Sequence, residues 1–170
     1  REREPMSTSI KALLMWLVIG STVAVQAEDR ESAKGWYNYL KGEWNSEIDD
    51  GSEIVKSTVV WRNAAKGNAS IGRAQQGDTV GIEIGGWQPD TKTAQVNGYN
   101  SKGDFWQLEY KKISANGGEG PIRGSYEGEA YTGNFVGKVI DKNHWEWTIM
   151  GKNSQGQEFS LNCKLTRKGE

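Results

Sequence analysis

Indole is the chemistry this chain carries in most abundance. Tryptophan occurs at Trp36, Trp44, Trp61, Trp87, Trp106, Trp145 and Trp147 behind an apolar N-terminal stretch. Each such side chain buries ~150–250 Å², and a buried indole N–H needs a hydrogen-bond partner. Rings of this kind can wall a pocket for a flat, apolar or sugar-like molecule, with the ligand or water serving the N–H groups. The candidate ligand-binding residues on this reading are Trp44, Trp61, Trp87, Trp106, Tyr110, Trp145 and Trp147. The competing reading is that the rings fill a core, since small barrels are commonly packed solid.

Other routes to chemistry are thin. His144 is the only histidine and Cys163 the only cysteine. Structural zinc takes four Cys- or His-type ligands, so neither a metal site nor a metal cofactor is expected. Cys163 alternates with Phe159, Leu161 and Leu165, which reads as a small buried hydrophobe. Glu109, Glu146 and Glu158 lie opposite apolar faces, in the phase of solvated surface acids rather than a glycosidase pair. The same phase places no titratable group inside except Tyr110. Gly117-Gly118-Glu119-Gly120 lacks the lysine and the following helix of a phosphate loop. Asn68-Ala69-Ser70 matches a glycosylation sequon, relevant only in a host that glycosylates. No catalytic residue is assigned.

These side chains must be positioned by strands. Ala33, Trp36, Tyr37 and Leu40 fall at helical spacing, predicting a short helix over Glu31 to Lys41. Beyond it the period becomes two. Strands are expected at 44–49, 53–63, 69–76, 79–87, 93–100, 105–113, 123–127, 131–140, 144–150 and 157–166. Turn signals such as Asp49-Asp50-Gly51-Ser52 and Gln76-Gly77-Asp78 separate them, and Ser114 to Pro121 reads as a Gly-rich loop. No proline falls inside an expected strand. Apolar residues on one face and ions on the other predict an all-β, antiparallel up-and-down barrel of about 8–10 strands standing in water.

Ahead of the helix, Lys11 precedes the run Ala12 to Gly20, and Val25 and Ala27 suit a small-residue cleavage site. This predicts a signal peptide over residues 1–27, with residues 1–5 upstream of the start at Met6. The run is short of the ~20 apolar residues of a spanning anchor. Residues 28–170 are then one barrel domain, exported to the periplasm or the medium. Cleavage removes Arg1, Arg3, Lys11, Glu2 and Glu4, leaving 18 basic and 20 acidic residues. That balance offers no footprint for nucleic acid and no basic face for an anionic membrane.

Two motifs carry a resemblance. Gly42-Glu43-Trp44 sits where a helical lead-in enters the first strand, and Gly86-Trp87-Gln88-Pro89-Asp90-Thr91-Lys92 forms a turn between strands. The pair resembles an uncharacterised group of secreted bacterial lipocalin-like domains. Gln88 departs from its usual Asp, and the Thr-Asp-Tyr motif and disulfide of true lipocalins are absent. The resemblance implies a barrel whose Trp44 plugs one end, with Arg167 either stacked on that ring by a cation–π contact or a solvated tail charge. It implies no activity. A haem barrel of the nitrobindin type also opens with Gly-x-Trp, but His144 opens a strand instead of lying within one. The expected function is therefore a non-enzymatic exported barrel binding a small apolar or amphipathic ligand. The alternatives are a filled-core structural or protein-interaction domain, with an exposed aromatic patch near Trp36-Tyr37 or Trp87, and less favourably a haem barrel or an enzyme.

Overall fold

A computed structural model describes residues 30–169; the expected signal peptide lies outside them. Helix α1 spans residues 30–40. Its stripe of Ala33, Trp36, Tyr37 and Leu40 is buried, as the helical spacing requires. Eleven strands follow: β1 (Gly42–Asp49), β2 (Ile54–Ala64), β3 (Ala69–Gln76), β4 (Thr79–Gln88), β5 (Thr93–Asn100), β6 (Phe105–Tyr110), β7 (Lys112–Ser114), β8 (Gly117–Tyr126), β9 (Glu129–Asp141), β10 (His144–Asn153) and β11 (Glu158–Arg167). Every pairing is antiparallel. The order β6-β5-β4-β3-β2-β1-β11-β10-β9-β8-β7, with an added β6–β8 pairing, closes a ten-stranded up-and-down barrel. The short β7 only extends the β8 edge. Closure leaves the barrel without the unpaired edges that invite aggregation. Among the described residues, no helix is long and apolar enough to cross a membrane.

The expected 105–113 strand breaks at Lys111 into β6 and β7, and the expected loop at 114–121 is largely strand. Its glycines serve close packing. A Cβ on Gly118 would lie 2.6 Å from Cδ1 of Tyr110, and one on Gly117 or Gly120 would strike the carbonyl of Gly137 or Glu109. Pro121 therefore does stand inside a strand. It sits where β8 passes from β7, paired through Glu119, to β6, paired from Ile122. A missing N–H costs least at such a change of partner.

Helix α1 closes one end of the barrel. Trp44 is fully buried beneath it and donates its indole N–H to the Leu40 carbonyl at 2.8 Å. Arg167, the last residue of β11, lies with Cζ 4.1 Å from the Trp44 ring centroid. Its guanidinium donates to the carbonyls of Lys41 at 2.6 Å, Tyr39 at 2.7 Å and Lys142 at 3.2 Å. It is thus a latch and not a solvated tail charge. Trp36 and Tyr37 are buried in the plug, so no aromatic patch is exposed there. The opposite end carries only hairpin turns.

The sorting of side chains departs from the expected phase on β3, β4 and β5. Ile71, Ile82, Ile84 and Tyr99 point outward and are exposed. Register places Ile71 beside Ile84 and Ile82 beside Tyr99, making one apolar outer strip. On β4 the inward positions are Gly81, Glu83 and Gly85 instead.

Candidate functional site

The cavity follows from that inversion. One lateral row crosses eight strands, and its members are direct cross-strand partners facing the interior: Gly42, Trp61, Gly72, Glu83, Gly98, Trp106, Gly124 and Tyr131. Glycine alternates with a large side chain. Directly opposed residues have Cβ atoms only ~4.5–5.5 Å apart, so a large ring needs a vacancy beside it. A Cβ on Gly72 would lie 2.5 Å from Nε1 of Trp61 and 2.8 Å from Cγ of Glu83. A Cβ on Gly98 would occupy the Trp106 indole itself. The two indoles reach over these glycines from either side toward one carboxylate. Trp61 Nε1 donates to Glu83 Oε1 at 2.7 Å, and Trp106 Nε1 donates to Oε2 at 3.2 Å.

Above and below this row lies a cavity of ≈ 310 Å³. It begins beneath Trp36, Tyr37 and Leu40 at the plug. It ends among Gln76, Thr79, Asn100 and Tyr126 at the hairpin rim, where exposed Gln76 and Tyr126 bring its lining into contact with solvent. Its walls are mainly aromatic. Trp61 packs edge-on to Trp145 at 5.8 Å, and Trp145 edge-on to Trp36 at 5.3 Å. The interior is therefore not packed solid.

Its polar groups are few and specific. Burial raises the Glu83 pKa, and the Trp61 and Trp106 N–H bonds offset that only in part. Glu83 keeps some accessible surface, which is surface of the cavity. Tyr110 accepts the Trp36 indole N–H at 3.3 Å, and burial raises its pKa strongly. The buried Tyr37 hydroxyl and the buried Trp145 Nε1 have no hydrogen-bond partner. Tyr131 is pushed up to about 12 by burial, with the Asp104 charge adding to the rise. At the rim, Asp104 is buried, which alone would raise its pKa. Donors from Gly128, Asn100 and Ser125 outweigh that and hold it low.

Of the candidate ligand-binding residues, Trp61, Trp106, Tyr110, Trp145 and Trp147 line the cavity. Trp44 does not, because its ring is the floor plug. Trp87 does not either; it stands at the plug end of β4, opposite the buried Ala94. The expectation that Tyr110 is alone among interior titratable groups is corrected by Glu83, Asp104, Tyr37, Tyr126 and Tyr131. On β4 the general expectation of apolar residues inward does not hold, because Ile82 and Ile84 are exposed and Glu83 faces the cavity. The Gln76-Gly77-Asp78 turn held the missing signal, since counting back across that hairpin pairs Gly72 with Glu83.

The remaining candidates are accounted for locally. His144 is exposed and pairs with Asp141, Nδ1 to Oδ1 2.9 Å. Glu109 pairs with Lys111 and Glu158 with Lys152 on the outer surface. Cys163 is buried against Ser46 Oγ at 3.2 Å, and burial pushes its thiol up to about 12. Ser70 of the sequon is buried on the inner face. Among the described residues no group of three His, Cys, Asp or Glu side chains is placed to hold a metal.

No family model matches this chain, and no curated protein matches it. Three solved structures are similar in outline. A protein of unknown function from the DUF3598 family of Nostoc punctiforme is 13% identical, with a TM-score of 0.44 over 78% of this chain and 48% of that one. This chain thus spans about half of that protein's length. An S-type phycobiliprotein lyase from Guillardia theta is 10% identical, with a TM-score of 0.40 over 85% of this chain and 97% of that one. A putative outer membrane protein from Bacteroides fragilis is 9% identical, with a TM-score of 0.21 over 78% of this chain and 99% of that one. None of the three is similar enough to place this chain in a family.

Proposed function

We propose that this chain is an exported, non-enzymatic lipocalin-like barrel that binds a small amphipathic molecule in its interior. The observation that carries the reading is the aromatic cavity with polar atoms left over in its wall. A buried, unpaired hydroxyl or indole N–H costs roughly 1–3 kcal/mol in a protein interior. The Tyr37 hydroxyl and the Trp145 N–H both stand in that condition, and both residues face the cavity. A ligand with polar atoms at matching places removes that cost. The volume of ≈ 310 Å³ lies at the small end of ligand sites, which run from ~300 to 1,000 Å³.

Non-enzymatic action is supported by the roles of the interior acids. Glu83 is engaged on both oxygens by indoles, and Asp104 holds a turn. The residues lining the cavity include no histidine, lysine or cysteine. The test is titration of the purified protein with small amphiphiles, read by tryptophan fluorescence. Saturable quenching is expected, and Trp145→Phe weakens it. A response that never saturates across apolar, amphipathic and sugar-like probes overturns the proposal.

A further inference from the structure

Inside the barrel, charge is one-sided. The residues lining the cavity include two carboxylates, Glu83 and Asp104, and no lysine, arginine or histidine. Asp104 is balanced at the rim by Asn100, Ser125 and Gly128. Glu83, at mid-barrel, has only the neutral N–H groups of Trp61 and Trp106. Each carboxylate oxygen accepts one of them and retains a lone pair for a further donor. A buried charge without a partner is costly, and buried charges are normally paired. Here the surrounding sheet is shaped to keep it. Gly72 and Gly98 are the vacancies that let two indoles reach Glu83, and a side chain at either would displace them.

We propose that the cavity takes an organic cation, with its protonated nitrogen against the Glu83 carboxylate and its apolar body among Trp61, Trp106, Trp145 and Trp147. This inference rests on the reading of the barrel as a binding module. Three features fit this occupant. The carboxylate supplies acceptors for an ammonium N–H and neutralises its charge. The indoles of Trp61, Trp106, Trp145 and Trp147 line the same cavity and supply aromatic surface for the apolar body. Asp104, held low at the mouth, makes the entrance potential negative, which draws cations in and opposes anions, and a bound ammonium beside Glu83 favours its ionised form. The Tyr37 hydroxyl adds an acceptor for the ligand nitrogen, while the donor-only Trp145 N–H matches an oxygen on the ligand body.

The experiment compares isosteric head groups on one body. Phenethylamine, 2-phenylethanol and 3-phenylpropionate are titrated into wild type and Glu83→Gln by calorimetry at neutral pH, and octylamine, octanol and octanoate repeat the series. Wild type is expected to bind the amine at least about tenfold more tightly than the alcohol, and the carboxylate most weakly. In Glu83→Gln the amine-to-alcohol ratio falls to about one while the alcohol still binds. The ratio, unlike overall affinity, is not moved by a general loosening of the fold. The wild-type series decides the point even if the variant does not fold. Saturable binding without cation preference, or a preference that survives in Glu83→Gln, overturns the cation assignment and leaves the binding reading standing. No saturable binding by any of the six probes overturns both.

Discussion

Burial at the centre of the barrel opposes the ionisation of Glu83. Its folded carboxyl holds a proton more tightly than the ordinary value of 4.5. The folded state therefore binds more protons than the unfolded chain between that value and the raised one. Its contribution to stability is greatest below the unfolded pKa and declines as pH rises toward the folded pKa. Each tenfold change in proton affinity corresponds to about 1.4 kcal/mol. In urea melts between about pH 5 and 8, Glu83→Gln is expected to gain stability on wild type as pH rises, and a gap constant with pH overturns the assignment. Asp104 acts in the opposite sense. Its lowered pKa gives stability that is present above the ordinary 3.8 and lost as pH falls through the folded value. Asp104→Ala leaves the Gly128 N–H and the Asn100 amide without their acceptor, at a cost of about 1–3 kcal/mol in the same melts.

Within the strands, the alternation of glycine with large side chains makes the inner face intolerant where the outer face is permissive. Gly98→Ala puts a methyl group into the Trp106 indole, and Gly72→Ala puts one against the Trp61 nitrogen. Overpacking of this kind costs about 1–3 kcal/mol. Both changes are expected to lower the melting temperature and to disturb the near-ultraviolet dichroism of the indoles. Ile84→Ala on the neighbouring outer face removes more atoms, yet the side chain is already 56% exposed. Surface changes of this sort stay within about 0.5 kcal/mol. If Ile84→Ala destabilises as much as Gly98→Ala, the assignment of faces is wrong. The helix belongs to the same scale. Trp36 packs edge-on to Trp145 and donates to Tyr110, so Trp36→Ala costs about 3–5 kcal/mol by opening the plug end of the core.

Across the whole molecule, closure depends on two seams, β6 with β8 and β1 with β11. The second brings both ends of the described chain together beneath helix α1, and Arg167 binds them. Its fork reaches carbonyls of the helix end and of the β9–β10 turn while its face covers Trp44. Hydrogen bonds to a charged group contribute about 1.5–3 kcal/mol. Arg167→Ala is expected to lower stability by at least that much in equilibrium unfolding. Arg167→Lys recovers little of it, because a single ammonium cannot serve three carbonyls and stack flat on a ring. Full recovery by lysine would reduce the latch to a simple charge.

The two-residue rhythm, its turn signals and one stretch of helical spacing were sufficient to read an antiparallel barrel with a short helix ahead of it, because strand period, helix period and turn chemistry are local properties. The stripe of helix α1 was legible for the same reason, whereas Trp44 as the end plug was implied only by the resemblance to lipocalin-like domains. The inward face of β4 was not legible. Thr79 to Gln88 alternates isoleucine with glycine and glutamate, and alternation alone does not say which set faces in. Taken alone, the hydrophobic effect would turn Ile82 and Ile84 to the interior. Tertiary packing reversed that, since Trp61 and Trp106 need the room that Gly72 and Gly98 leave and the acceptor that Glu83 provides. Which residues share a lateral row depends on register summed over several hairpins, a property of the closed sheet and not of any one strand. The fold was thus written in local pattern, while the charged centre of the cavity exists only once eight strands stand side by side.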